Sequence, residues 1–493
     1  MAFFPKAVRS YNARRLTLSI VMLAFGFVAT GTVCGQTTPS ASSAATRDEQ
    51  TSRVETISPK PNALAAKTAV GAAESRAITP TVSLYYDPAQ GTSSVDLVRR
   101  ALASNGELAA ARLEAARARA RLQQAGLRSN PTLDFEQTTG RLTGSAGESE
   151  TTIGIGLPIE LGGKRRRRVE LAQAELEAIE AEIADRERRL TNDVRALYAE
   201  ALASLRELDT TEGLTNIDIK TVIIVQARVS EGETAPIELK QLRVEVDRLR
   251  SRRALIEGRL RSSLIRLKNL TGISRTDPLR LREDIATPIL PPPPASQEAA
   301  IEIALRTRPD LRFARLNEEA AQAGLRLARA QAAPDATAFS RYTQNRSSFD
   351  DTPIGTLRDR DKLLTFGVSV SIPVLNRNQG AKVEAAIAIN QARTRREFLE
   401  SVVRADVESA YARYEAARQA VMSFEIDVIE RSNENIRTIR AAYEIGAFRI
   451  TDLLVEQRRL VDSQREFTEV LAEQYRALAD LQAAIGTPVE PQQ

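Results

Sequence analysis

The side chains of this chain that can do chemistry are carboxylates and cations, because it has no His, no Trp and one Cys. That leaves no Ser-His-Asp or Cys-His pair, no His-ligated metal, and no intrachain disulfide or CxxC site. No paired arrangement for catalysis stands out either, so neither an enzymatic role nor a cofactor is expected. Two groups of ionic residues are conspicuous by spacing. Lys164-Arg165-Arg166-Arg167-Arg168 opens a helical segment, where cations oppose the helix dipole, and Arg377 and Lys382 lie at the corresponding place further on. Such cations could pair with lipid phosphates at a membrane interface. They could equally form a solvated collar paired with Glu170 and Glu175. Glu238 and Asp452 each follow a glycine, Gly232 and Gly446, by six residues. An acid there favours the start of a helix through its dipole, or it hydrogen-bonds or pairs with a charge across a helical turn.

These residues sit in a chain of 493 residues with 69 Lys+Arg against 64 Asp+Glu, net +5. Charge balanced at that scale makes salt bridges rather than a polycation, so nucleic acid is not expected as a partner. The start carries a basic stretch to Arg15, an apolar core of about 15 residues, and small residues up to Gly35. The core is short of the roughly 20 residues needed to span a bilayer, so residues 1–35 read as a secretory signal. Cys34 stands where a lipidated cysteine would stand. Val33 precedes it where a small residue is wanted, and Gly31 stands where Leu is usual, so lipidation and removal with the signal both stay open. Residues 36–91 are rich in Ser, Thr, Ala and Pro and read as a flexible leader.

Length alone suggests about three domains. An internal repeat replaces that view. Ala101-Leu102-Ala103-Ser104 answers Ala304-Leu305-Arg306-Thr307, Leu157-Pro158-Ile159 answers Ile372-Pro373-Val374, Gly232 answers Gly446, and Leu270-Thr271-Gly272 answers Ala484-Ile485-Gly486. The offset grows between Pro334 and Ile372, so the second copy holds extra residues there. The copies are 92–290 and 298–489, joined by a Pro-rich linker at 291–297 and followed by a tail at 490–493.

Each copy reads as helix, strand, loop, strand, very long helix, sharp turn, long helix. Ile153, Ile155, Leu157 and Ile159 alternate with small or polar residues, as do Leu364, Phe366, Val368, Val370 and Ile372. This is strict period two. Their partners are Thr132–Leu142 and Asp335–Asn345, with polar loops over Thr143–Ser149 and Arg346–Lys362. Apolar alternating with small polar residues over about ten positions is the pattern of a lipid-facing barrel strand. A half-buried sheet in a soluble protein shows the same period. Export, and the fact that four strands cannot close a barrel, favour the first reading with three chains together. Lys164 to Val229 lacks proline and would make a rod of about 100 Å. The last helix carries a three-four spaced seam with Gln457, Gln464 and Gln474 among its apolar positions. Those glutamines set register or border water.

With Gly162-Gly163-Lys164-Arg165 after one strand pair and Ile372-Pro373-Val374-Leu375-Asn376-Arg377-Asn378-Gln379-Gly380 after the other, the chain resembles the TolC-type outer-membrane efflux channels. Within them it is most similar to the CzcC-like branch of heavy-metal exporters, over about Thr92 to Val489. The resemblance implies a mainly α fold with a small β part. Long antiparallel helical hairpins would form a periplasmic tunnel, and four strands per chain would contribute to a trimeric twelve-stranded outer-membrane barrel. It implies a homotrimer that works with a periplasmic adaptor and an inner-membrane pump of the resistance–nodulation–division class. The chain itself would be a passive exit duct, for heavy-metal cations or, as in multidrug and type I secretion channels, for other cargo. It implies no cofactor. The turns at Gly232 and Gly446, with Glu238 and Asp452, would form the periplasmic end where the adaptor docks. An exported coiled-coil scaffold without a pore would explain the rods but not the strands.

Overall fold

The structure, a computed structural model, describes residues 81–142, 147–349, 355 and 357–486. Residues 1–35, read from the sequence as a signal, with Cys34 among them, and the tail at 490–493 lie outside the described residues. Helix α1 is Val82–Tyr85; α2 (Ser94–Ser104) and α3 (Gly106–Ala125) lead into strands β1 (Thr132–Thr139) and β2 (Ser149–Ile159). Then come α4 (Lys164–Ser230) and α5 (Pro236–Thr271). The second copy repeats the order: α6 (Gln297–Thr307), α7 (Pro309–Ala330), β3 (Asp335–Phe349), β4 (Leu357–Ser371), α8 (Gln379–Ser423), α9 (Glu430–Glu444) and α10 (Ile450–Ile485).

Helix α4 runs unbroken for 67 residues, about 100 Å at 1.5 Å per residue. Nothing in its sequence stops it, since neither proline nor a glycine with positive φ occurs before the turn at Gly232. Its counterpart in the second copy is not continuous. A π-helical turn, Phe424–Ile429, separates α8 from α9, and Phe424 stacks there on Phe467 of α10 with ring centroids 6.3 Å apart. The expectation of one regular rod is corrected at that point. The long helices bury the seams anticipated for them. Leu242, Val246, Leu249, Ile256, Leu260, Leu264 and Leu267 of α5 are buried. So are Ile450, Leu453, Gln457, Leu460, Phe467, Leu471, Leu481 and Ile485 of α10. Near the turns, one cluster joins α4, α5, α9 and α10 through Ile219, Val222, Leu242, Ile436, Ile450 and Leu453.

The four strands form one antiparallel sheet in chain order β1-β2-β3-β4. β3 and β4 have 15 residues each, against 8 in β1 and 11 in β2. The extra residues of the second copy therefore extend its hairpin. Arg346–Lys362 was expected to be loop. Instead β3 runs to Phe349 and β4 begins at Leu357, because alternation continues in charge after it has ended in hydropathy. β1 is shorter than expected: Gly140–Leu142 is a 3-10 turn.

The leader is corrected in part. From Thr81 the chain is fixed to the helices. Glu212 of α4 accepts from the Thr81 hydroxyl at 2.6 Å, and Tyr86 and Thr92 form parallel bridges to Leu281. The Pro-rich linker is held as well, since Gln482 Nε2 donates to the Pro291 carbonyl at 2.9 Å.

Candidate functional site: a two-faced sheet, a basic collar and two helical tips

Register decides what each strand face carries. Rows Phe135–Ile153–Tyr342–Leu364, Leu133–Ile155–Ser340–Phe366, Leu157–Ala338–Val368 and Ile159–Ala336–Val370 lie across the sheet on one face. Apolar side chains on that face are left bare: Leu133 is 77% and Phe366 73% exposed. From Leu364 to Val370 this is about 20 Å of strand, close to the roughly 25 Å apolar band of a membrane barrel.

The opposite face carries rows Asp134–Gly154–Arg341–Thr365, Glu136–Thr152–Thr343–Leu363 and Thr138–Glu150–Asn345–Asp361. Asp359, opposite Ser347, continues it. Thus Asp134, Glu136, Glu150, Asp335, Asp359 and Asp361 share a face with one strand cation, Arg341. The Arg341 guanidinium lies 5.7 Å from the centre of the Phe339 ring, a cation–π arrangement. Phe339 lies over Gly367, where an added Cβ would come within 2.4 Å of the ring. Glycine there lets the ring lie flat on the sheet.

The basic run at the head of α4 turns out to be a clasp. Lys164, only 9% exposed, places Nζ 2.7 Å from Asp335 at the start of β3. Arg165 Nε donates to the Gly126 carbonyl at 2.6 Å, at the negative end of α3. Arg167 pairs with Glu170 at 2.7 Å, and Arg166 is 3.6 Å from the same carboxylate. Arg168 pairs with Glu160 just after β2. Glu170, Glu160 and Asp335 are thus the acids that meet the run, and Glu175 makes no ion pair with it among the described residues. These contacts offset the opposed helix dipole. In the second copy Asn378, at φ +59°, does the equivalent work: its Nδ2 donates to the Ala328 carbonyl of α7 at 2.9 Å. Sequence reasoning missed Asn378; an asparagine at a helix start after a strand was the available signal. Arg377 and Lys382 make no ion pair among the described residues, and Arg377 is exposed.

At the tips, Gly232 and Gly446 have φ of +83° and +78°, the left-handed conformation that closes a tight turn between antiparallel helices. The two acids that follow do different things. Asp452 Oδ2 accepts from the Arg449 backbone N–H at 3.1 Å and caps α10. Glu238, in the first turn of α5, makes no such cap among the described residues. Burial first, and the negative charge of Glu238 second, raise the pKa of Tyr443 on α9. Ile445 (83% exposed), Ile237 and Phe448 leave apolar surface bare around the two turns. Further along, Asp218 of α4 is 2% exposed and accepts from Gln457 Nε2 of α10 at 3.0 Å. The seam glutamines Gln457 and Gln464 each leave a buried Oε1 without a hydrogen-bond partner.

Among the described residues no helix is long and apolar enough to cross a membrane, and no group of three or more acids or cysteines is placed to hold a metal ion. The apolar sheet face is the membrane element that remains. The family described as Outer membrane efflux protein matches residues 97–273 and 300–487. The chain belongs to the outer membrane efflux protein family. It is similar to the cobalt-zinc-cadmium resistance protein CzcC of Cupriavidus metallidurans, 23% identical over 84% of this chain and 95% of that protein. It is also similar to the solvent efflux pump outer membrane protein SrpC of Pseudomonas putida, 23% identical over 83% of this chain and 87% of that one. The crystal structure of CusC shares its fold with a TM-score of 0.65, at 19% identity, over 83% of this chain and 97% of that chain. This efflux protein is therefore an outer-membrane channel of TolC type whose helices extend into the periplasm.

Proposed function

We propose that three copies of this chain close a twelve-stranded barrel, and that the trimer is a passive exit duct for metal cations. Cargo would reach it from an inner-membrane pump of the resistance–nodulation–division class through a periplasmic adaptor. The observation that carries the cation reading is the segregation of charge on the sheet. With the apolar sheet face against lipid, six carboxylates per chain, one of them (Asp335) paired with Lys164, and one strand guanidinium share the face that would line the channel. A lining of one sign concentrates counter-ions and speeds their passage without holding them. Exposed carboxylates on separate strands suit transit, whereas a closed cluster of ligands would retain the metal. The likeness to CzcC over nearly its whole length supports the same cargo class.

Trimerisation is supported by the open edges β1 and β4 and by the two-faced sheet, which four strands cannot close. The adaptor is expected at the turns around Gly232 and Gly446, where Ile237, Ile445 and Phe448 are bare, with Glu238 and Asp452 shaping the two tips. Gly232 and Gly446 admit the turns; the acids fix the helices that leave them. The likeness to SrpC keeps one second reading in view, a duct for organic solutes.

A deletion strain tests the cargo. Loss of the gene should sensitise cells to divalent metals, and the gene should restore resistance. Sensitivity to solvents alone would transfer the protein to the second reading. Single-channel conductance of purified trimer in a planar bilayer tests the duct itself, and a folded trimer without conductance would sink it.

A further inference from the structure

Beyond the apolar band, the lipid-side face does not turn neutral. On β4 the residues that follow Leu364 on that face are Lys362, Arg360 and Arg358, and on β3 the residue after Gln344 is Arg346. All four are exposed. None of the four makes an ion pair among the described residues, in contrast to the clasped run at Lys164–Arg168. Arg346 lies directly opposite Arg360 on the neighbouring strand. Like charges facing one another across a strand pair are destabilising, and no strand residue on this face is acidic. The alternating acids, Asp359 and Asp361, point to the channel side.

The belt has a definite height. The paired strand ends Thr139–Ser149 and Phe349–Leu357 lie at the end of the sheet away from α3, α4, α7 and α8. With the helices in the periplasm, that end faces outward. Tyr342, beside Leu364, sits where an interfacial aromatic belongs. The four cations therefore stand one to three rungs above the apolar band, at headgroup level in the outer leaflet, facing lipid.

We propose that Arg346, Arg358, Arg360 and Lys362 bind the phosphate groups of outer-leaflet lipid headgroups. A phosphate between Arg346 and Arg360 neutralises the repulsion between them, and the planar guanidinium matches its oxygens in a bidentate way. Free phosphate in solution is not the intended ligand, because the cations stand just above the apolar band, against which the acyl part of the same molecule would lie. This rests on the sheet lying in the membrane with its apolar face outward.

The full-length protein is reconstituted in phosphatidylcholine vesicles without addition, with lipid A, or with lipid A stripped of its phosphates. Insertion is scored by flotation, and lipid affinity by titration with native mass spectrometry. Wild type should insert in all three and bind lipid A selectively. The double variant R346Q/R360Q should insert equally in phosphatidylcholine but bind lipid A roughly 30-fold more weakly, about a factor of six per cation removed. R358Q/K362Q should weaken it in the same sense, and R166Q should not. Equal binding of the dephosphorylated lipid, unchanged affinity in both double variants, or displacement of lipid A by an equal concentration of inorganic phosphate would overturn the proposal. Failure of the wild type to insert even in phosphatidylcholine would overturn the membrane placement and this inference with it.

Discussion

Asp218 and Gln457 face each other inside the helix packing, the Gln457 amide nitrogen donating to Asp218 Oδ1 at 3.0 Å. Burial pushes the Asp218 carboxyl up to about 6; the Gln457 hydrogen bond and Arg440 of α9 oppose the rise, and Glu245 of α5 adds to it. Glu245 is itself held by Arg458 at 2.7 Å. The folded chain thus binds this proton more tightly than the unfolded chain, whose ordinary value is 3.8. Below that value both states are protonated and the carboxyl costs nothing. As pH rises towards 6 stability falls, and above it the cost is constant at roughly 3 kcal/mol.

The substitution D218N should remove that cost. Its amide can also donate to Gln457 Oε1, which has no partner in the wild type. At pH 8 the variant should melt above the wild type, and the difference should shrink as pH falls towards 4. Melting curves of both proteins across that range check it. A difference independent of pH would mean that the Asp218 carboxylate is not held charged against burial.

A second prediction concerns the basic run. Asp335→Asn leaves the Lys164 ammonium buried without its counter-ion, at an expected cost of about 1–3 kcal/mol. The loss should be the same in detergent and in anionic bilayers, because the partner is protein. Arg166→Gln, whose side chain is 70% exposed, should stay within about 0.5 kcal/mol of wild type. Thermal melting in both media checks it, and a loss confined to anionic bilayers would return the run to a lipid-binding role.

Much of this was legible in the sequence, for identifiable reasons. Ile153 to Ile159 and Leu364 to Ile372 announce strands because hydropathy alternates at period two, and the seam from Ile450 to Ile485 announces a packed helix. The hairpin extension was not read, although Arg358-Asp359-Arg360-Asp361-Lys362 alternates just as strictly in charge; hydropathy treats both signs as equally polar. That Lys164–Arg168 needed partners followed from the helix dipole. That the partners include Asp335 and the Gly126 carbonyl could not be read, because they come from elements distant in the chain, whereas Glu160, eight residues before Arg168, was near enough to consider and was missed. The π-helical turn at Phe424–Ile429 contains neither Gly nor Pro, so no local residue marks it.

The two tip acids separate in a third prediction. Asp452→Ala removes a cap from α10 and should cost about 1 kcal/mol. Glu238→Gln breaks no hydrogen bond among the described residues and should leave stability nearly unchanged. It should instead lower the Tyr443 pKa, because the negative charge that disfavours the phenolate is gone. Ultraviolet titration of the tyrosines, compared with a Tyr443→Phe background, checks this. Equal destabilisation by both substitutions would mean that the two tips are built alike.

The last prediction bears on transport. Glu136 and Asp361 lie in adjacent rows on the carboxylate-bearing sheet face that the proposal makes the channel lining, exposed and without ion pairs among the described residues. They help set the sign of the lining without contributing to its packing. A wild-type channel in a potassium chloride gradient should therefore show a reversal potential of the sign for cation preference. The double variant E136Q/D361N should move that potential towards zero while leaving melting within about 0.5 kcal/mol of wild type. The preference should also weaken as salt rises, because the Debye length falls from about 10 Å at 0.1 M to about 3 Å at 1 M and the lining charges are screened. Anion preference in the wild type would contradict the cation reading of the channel face, and an unchanged potential in the variant would place the selective charges elsewhere along the tunnel.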